Sequence, residues 1–206
     1  MGWSRKKNEF NKRTYPDVMV DLETMGTSVD TQVLSIGAVR FRMGVQDDVT
    51  SILERERGFY AVLDIDEQAD KGRTTTSSTL DWWANQSKEA RAVFEEPRQD
   101  VATVLDSFST FCDGAKRIWG NGNMFDNAIM RSLYDTYDRN YPVEYWKDLD
   151  VRTLTWLWNF LTDWRSKGKR PTVVLGEEHN ALDDARRQTL QVQLMLKELK
   201  GSKYES

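Results

Sequence analysis

The segment Pro16-Asp17-Val18-Met19-Val20-Asp21-Leu22-Glu23 constrains this chain more than any other. It reads as a buried strand, opened by proline and closed by a turn at Met25-Gly26-Thr27. The strand ends on two carboxylates, and side chains at i and i+2 leave a strand on the same face. Asp21 and Glu23 therefore project together. Two carboxylates about 4 Å apart repel by roughly 4 kcal/mol at an effective dielectric of about 20, and an unpaired acid on an apolar strand is costly. A hard cation would relieve this, and oxygen ligands favour Mg²⁺ or Mn²⁺. Spacing alone is weak evidence, because Asp64-Ile65-Asp66 repeats it in a chain with 33 acidic residues. The strand-end setting distinguishes the first pair.

The organisation around this strand suits one domain of 206 residues. Residues 1–15 read as a basic flexible tail, 16–200 as the domain and 201–206 as a flexible C-terminus. Val33–Phe41 fits a hairpin partner for the first strand, and a third strand fits Gly58–Ile65. Helical spacing follows. Ser78 or Thr79 is placed to cap a short helix through Gln86, and Ser87 to cap another with Ala90, Val93 and Phe94 turned inward. Asp100 opens a helix in which Val101, Val104, Leu105, Phe108 and Phe111 recur at steps of three and four. Arg117–Gly120 is a short strand, and helices are expected near Ala128–Tyr137, Val151–Leu161 and Asn180–Leu199. Residues 165–178 are the most loop-like internal stretch. Strands first, then helices alternating with short strands, predict an α/β fold with a mixed sheet flanked by helices.

Two further sites carry chemistry. Asp126 sits where Trp119-Gly120-Asn121-Gly122-Asn123-Met124-Phe125 turns from strand to helix, and on spacing alone a helix N-cap is its simplest role. His179, the only histidine, precedes the last helix, and Asn180 is placed to cap that helix with Asp183 completing a capping-box-like pair. Asp184 then lies one turn inside, free to face a site. An imidazole is the side chain suited to accept a proton near neutrality.

Together these motifs resemble the DEDD superfamily of 3′→5′ exonucleases, in its histidine-containing branch. The first motif of that superfamily, Asp-x-Glu-Thr, is matched by Asp21-Leu22-Glu23-Thr24; the second, an aromatic residue followed by Asp, by Phe125-Asp126; the third, His and four residues before Asp, by His179 and Asp184. The resemblance spans residues 17–196. Leu80-Asp81-Trp82-Trp83-Ala84-Asn85-Gln86-Ser87 points to the branch that holds ribonuclease AS and the exonuclease A of T-even phages. It implies a ribonuclease H-like fold and two Mg²⁺ ions, replaceable by Mn²⁺, held by Asp21, Glu23, Asp126 and Asp184. It also implies His179 as general base, DNA or RNA 3′ ends as substrates, and a homodimer. Backbone groups at Thr24, Met25 and Gly26 would hold the terminal nucleotide, with Met25 wedged against its base. Trp82 and Trp83 are the expected base contacts, with the alternative that one of them is core and the other exposed, since adjacent helix residues point about 100° apart. Trp119, Trp156 and Trp158 are expected in the core. The chain departs from ribonuclease T and proofreading exonucleases at Asn121-Gly122, where those enzymes carry His-Asn.

The net charge of −4 is unusual for a nucleic-acid binder. Catalytic carboxylates account for part of it, and an exonuclease needs to grip only a few nucleotides. Basic clusters stand at Arg5-Lys6-Lys7, Lys12-Arg13 and Lys167-Gly168-Lys169-Arg170. A single cysteine, no apolar run near the ~20 residues that span a bilayer and no signal-peptide core predict a cytoplasmic protein that does not enter membranes. Two alternatives remain open at this stage. One is a catalytically inactive module that binds nucleic acid or a partner. The other is a metal-dependent phosphohydrolase of free nucleotides.

Overall fold

The computed structural model describes residues 12–162 and 169–201. The tail up to residue 11 with its Arg5-Lys6-Lys7 cluster, the Lys167-Gly168 part of the third cluster, loop residues 165–168 and residues 202–206 lie outside the described residues.

Five strands form one mixed sheet: β1 (Asp17–Thr24), β2 (Val33–Phe41), β3 (Gly58–Val62), β4 (Arg117–Gly120) and β5 (Asp148–Asp150), in the order β3-β2-β1-β4-β5. The β3-β2-β1 meander is antiparallel, whereas β4 and β5 run parallel to β1. The helices are α1 (Val49–Ile52), α2 (Ile65–Asp70), α3 (Ser77–Ala84), α4 (Lys88–Arg91), α5 (Val101–Phe111), α6 (Asp126–Thr136), α7 (Val151–Leu161) and α8 (Ala181–Gly201).

Central strand β1 is buried on both faces. Its Val18, Val20 and Leu22 pack with Val104, Leu105 and Phe108 of α5 and Ile129 and Leu133 of α6. Met19 lies in a second cluster, with Trp119, Trp158 of α7 and Ala185 and Val192 of α8. Side-chain alternation along the strand then puts Asp21 and Glu23 on the α8 side. A third cluster joins Met25, Leu34 and Val62 to Trp83, Ala90 and Val93 under α3 and α4. Burial of this apolar surface, at about 25 cal/mol per Å², is the main force that holds the three layers together.

Several local expectations are corrected. Strand β3 ends at Val62 and does not run to Ile65, because Asp64 caps α2, accepting from the amides of Asp66 (2.9 Å) and Glu67 (3.0 Å). Asp64-Ile65-Asp66 is thus a helix start, not a second pair of strand-end acids. Helix α3 starts at Ser77, ahead of the expected Ser78 or Thr79 caps. Trp119 and Trp158 are buried as expected, but Trp156 is 56% exposed and stacks on Phe160, ring centroids 5.4 Å apart and planes at 4°. The inward face of α7 is Val151, Thr155, Trp158 and Asn159, and each residue turns the helix by about 100°, which swings Trp156 away.

Lys12–Tyr15, expected in the tail, are fastened to the body. The buried Arg40 guanidinium donates to the carbonyls of Lys12 and Tyr15 (both 3.0 Å), Phe111 (2.8 Å) and Asp113 (2.6 Å). Among the described residues, no helix is long and apolar enough to cross a membrane.

Candidate active site

Asp21 and Glu23 form the floor of the site. Asp21 pairs with Gly37 across the β1–β2 ladder. A Cβ on Gly37 would lie 2.0–2.3 Å from backbone atoms of Ala181 and Leu182, so only glycine lets the first turn of α8 rest on β2. That contact carries Asp184 to the strand end. Asp184 is fixed at two points: its Oδ2 accepts from the His179 amide at 3.0 Å, and its Oδ1 accepts from Arg187.

Asp126 enters from the opposite side. It is the first residue of α6, only 2% exposed, and Phe125 occupies the N-cap position. The cap role that spacing favours is therefore not the one the structure gives it. A Cβ on Gly120 would meet Asp126 Cβ at 3.0 Å and Asn127 Oδ1 at 2.5 Å. Gly120, at the end of β4, is what admits α6 this close.

The carboxylates act on one another. Burial raises Asp21 well above the usual carboxylate range, with further push from the charges of Asp126, Glu23 and Asp184. Glu23 is pushed up to about 8, first by burial and then by Asp184 and Asp126, against the pull of Arg187. Burial also lifts Asp126 to about 7, and raises Asp184 against the pull of Arg187 and His179. Ligand atoms of Glu23, His179 and Asp184 all lie within 4.8 Å of one another. Four mutually repelling carboxylates, two of them grouped with the His179 ring, supply the oxygen donors that hard divalent cations prefer, so the residues present fit Mg²⁺ or Mn²⁺.

His179 has a left-handed backbone, φ 63°. Its ring meets Trp82 edge to face, with centroids 4.8 Å apart. Asn180 caps α8 as expected, accepting from Leu182 (3.2 Å) and Asp183 (3.1 Å). Asp183 does not complete a capping box; it reaches back to the Glu177 amide (3.1 Å) and pairs with Arg186 (2.9 Å).

The expected substrate contacts divide. Trp82 is 41% exposed at the site, whereas Trp83 is 3% exposed and its Nε1 donates to the Thr24 carbonyl at 3.0 Å. The Met25 wedge is corrected: its side chain, 4% exposed, packs with Leu34, Val62 and Trp83. Its amide donates to Gln32 O and its carbonyl accepts from Thr76 N, both at 2.9 Å, so neither backbone group is free for a nucleotide. Thr24 Oγ1 donates to Gly26 O at 2.7 Å, and Gly26 is buried against Thr31 and Thr76.

Gln188 joins the site without belonging to any of the three motifs. Its Nε2 donates to Asp21 Oδ1 at 2.6 Å. Its position four residues beyond Asp184, on the same face of α8, is the signal for it in the sequence.

The five-stranded mixed sheet, with its flanking helices and with acids gathered at the end of β1, is of the ribonuclease H-like class. The chain belongs to the family described as the 3′-5′ exoribonuclease Rv2179c-like domain, whose profile matches residues 16–196. It is 29% identical over 161 residues to an exodeoxyribonuclease of Enterobacteria phage T4, covering 66% of this chain and 69% of that one. Its fold is similar to cell-death related nuclease 4 (TM-score 0.57, 13% identity), covering 90% of this chain and 65% of that one. It is also similar to the nuclease domain of 3′hExo, a DEDDh family member, bound to rAMP (TM-score 0.59, 15% identity), covering 89% of this chain and 93% of that one. The ribonuclease H-like fold and the 3′→5′ exonuclease class read from the motifs agree with these comparisons.

Proposed function

We propose that this chain hydrolyses the last phosphodiester bond at the 3′ end of a DNA or RNA strand, releasing a 5′-nucleoside monophosphate, in the cytoplasm. The observation that carries this reading is the convergence of Asp21, Glu23, Asp126 and Asp184 beside His179. Those four carboxylates would hold two Mg²⁺ ions, with Mn²⁺ as a substitute. Bound there, the ions supply Lewis-acid stabilisation of charge on the phosphate and lower the pKa of water.

The chain's own residues do the rest. His179 takes a proton from the water that attacks phosphorus, and the 3′ oxygen of the shortened strand leaves with a proton. The Asp184 carboxylate holds the His179 backbone in place, and the Trp82 edge limits the swing of its ring. Gln188 orients Asp21. The exposed face of Trp82 supports the terminal base, a stacking contact worth about 1–3 kcal/mol. The family description names an exoribonuclease and the phage relative an exodeoxyribonuclease, so both sugars belong in the proposal. A homodimer is part of it as well, checked by sedimentation velocity.

The test uses 5′-labelled DNA and RNA oligonucleotides, single-stranded and with overhangs, with Mg²⁺ or Mn²⁺, with EDTA, and with Asp184→Ala. A ladder shrinking from the 3′ end that EDTA and the substitution abolish is the expected result, and the faster sugar names the substrate. Binding without shortening would transfer the chain to the inactive binding module. Hydrolysis of free nucleotides alone would transfer it to the phosphohydrolases.

A further inference from the structure

Two arginines flank the Asn121–Asn123 loop that delivers Asp126. Arg152, exposed in the first turn of α7, lies over Gly122, where a Cβ would meet its guanidinium carbon at 3.4 Å. Arg170 donates from Nη2 to Asn121 Oδ1. The loop between them is pinned, because Asp150 Oδ2 accepts from the Asn123 amide at 2.7 Å while its Oδ1 caps α7 through Thr153 N at 2.7 Å.

Neither arginine is matched by a carboxylate at ion-pair distance among the described residues. In this they differ from Arg57, Arg117 and Arg131, which pair with Asp47, Asp17 and Asp148. The two also feel each other: burial and the neighbouring Arg152 charge lower Arg170, against the pull of Asp150 and Asp21. Burial raises Asp126, and the charge of Arg152 is among the pulls against that rise. Two unmatched guanidiniums thus stand together at the edge of the carboxylate cluster. A phosphodiester between them would relieve their repulsion and accept from both planar forks, the geometry for which arginine is suited.

We propose that Arg152 and Arg170 form a clamp for a backbone phosphate of the substrate strand, positioning the scissile bond over the carboxylates. The clamp stands at the Asn121–Asn123 loop, and the side-chain-free Gly122 makes room for it. This proposal rests on the exonuclease reading.

The test measures binding of a 5′-fluorescein single strand by anisotropy over a salt series, in a His179→Ala background that prevents cutting while keeping every carboxylate. Arg152→Gln, Arg152→Glu and Arg170→Gln are compared with that parent, with thermal melts as folding controls. Arg152 is exposed, so its variants should melt like the parent. The expected result is binding weaker by about tenfold for Arg152→Gln at low salt, more for Arg152→Glu. The slope of log K against log salt should be shallower by roughly 0.7 for each phosphate that is no longer neutralised. A strand with neutral methylphosphonates at its 3′-terminal linkages should weaken the parent to a similar degree and the variants little further. Arg152 variants with the parent's affinity and slope would overturn the clamp and leave the exonuclease reading intact. A parent that neither binds nor, with His179 restored, cuts any strand would sink that reading and the clamp with it.

Discussion

Asp21 on β1 and Gly37 on β2 face each other across the antiparallel ladder, and the missing side chain of Gly37 is the seat for the helix that brings Asp184 to Asp21. The site's geometry therefore depends on a residue with no chemistry of its own. Gly37→Ala forces a methyl into backbone 2.0–2.3 Å away, and backbone cannot swing aside as a side chain can. We expect a stability loss of at least about 1–3 kcal/mol, the usual range for overpacking, together with loss of cleavage as α8 is displaced. Urea denaturation and a cleavage assay on one preparation check this; unchanged values in both would mean the helix does not sit where the structure puts it.

His179 separates a chemical role from a conformational one. At φ 63° a side chain carries a cost of roughly 1 kcal/mol that glycine avoids. His179→Gly should thus be more stable than His179→Ala by a few tenths to about 1 kcal/mol. Both should lose about 10²–10⁴ in cleavage rate if the imidazole is the general base. Denaturant midpoints and single-turnover rates on the two variants decide the matter, and near-parent rates in both would remove His179 from the chemistry.

The buried carboxylates predict how stability varies with pH when divalent ions are chelated. Glu23, about 8, and Asp126, about 7, are raised above their ordinary values in the folded chain. The folded state thus binds more protons than the unfolded state between about pH 4 and 8, and stability falls as pH rises through that window. In EDTA the protein should melt at a higher temperature at about pH 6 than at about pH 8.5. Adding Mg²⁺ or Mn²⁺ should raise the melting temperature most at the alkaline end, where the carboxylates no longer hold protons. Thermal melts over this range, with and without metal, test it; a melting temperature that rises with pH in EDTA would contradict the cluster's electrostatics.

What is legible in the sequence follows from local pattern. The apolar strand with its terminal acids, the period-three-and-four helices and the Asn180 cap all depend on neighbours a few residues away. The role of Asp126 is legible only through motif resemblance, since a strand–turn–helix junction looks the same whether its Asp caps the helix or faces a site. Arg40 is beyond reach because the carbonyls it serves on Phe111 and Asp113 lie 71 and 73 residues away. Met25 departs from its expected role for a similar reason: its position after the acidic motif suggests an open edge, but α3 covers it through Trp83. Trp156 shows the converse, a residue whose size suggests core and whose helical phase puts it outside.

The adjacent tryptophans give the sharpest separation of roles. Trp83 holds the turn after β1, its indole N–H satisfying the Thr24 carbonyl within the third core cluster. Trp83→Phe keeps most of the packing but leaves that carbonyl unpaired, at a cost of about 1–3 kcal/mol. Because the turn follows directly on Glu23, cleavage should fall with it. Trp82 faces outward against His179, so Trp82→Ala should change the melting temperature little. Its effect should fall on KM through removal of the stacking surface, about 1–3 kcal/mol per base, and on kcat through the freed imidazole. Trp82→Phe, which keeps an aromatic face, should recover much of the KM. Steady-state kinetics and melts on the three variants provide the measurement. If Trp82→Ala destabilised the fold as much as Trp83→Phe while leaving KM unchanged, Trp82 would be a packing residue, and the terminal base would need another support.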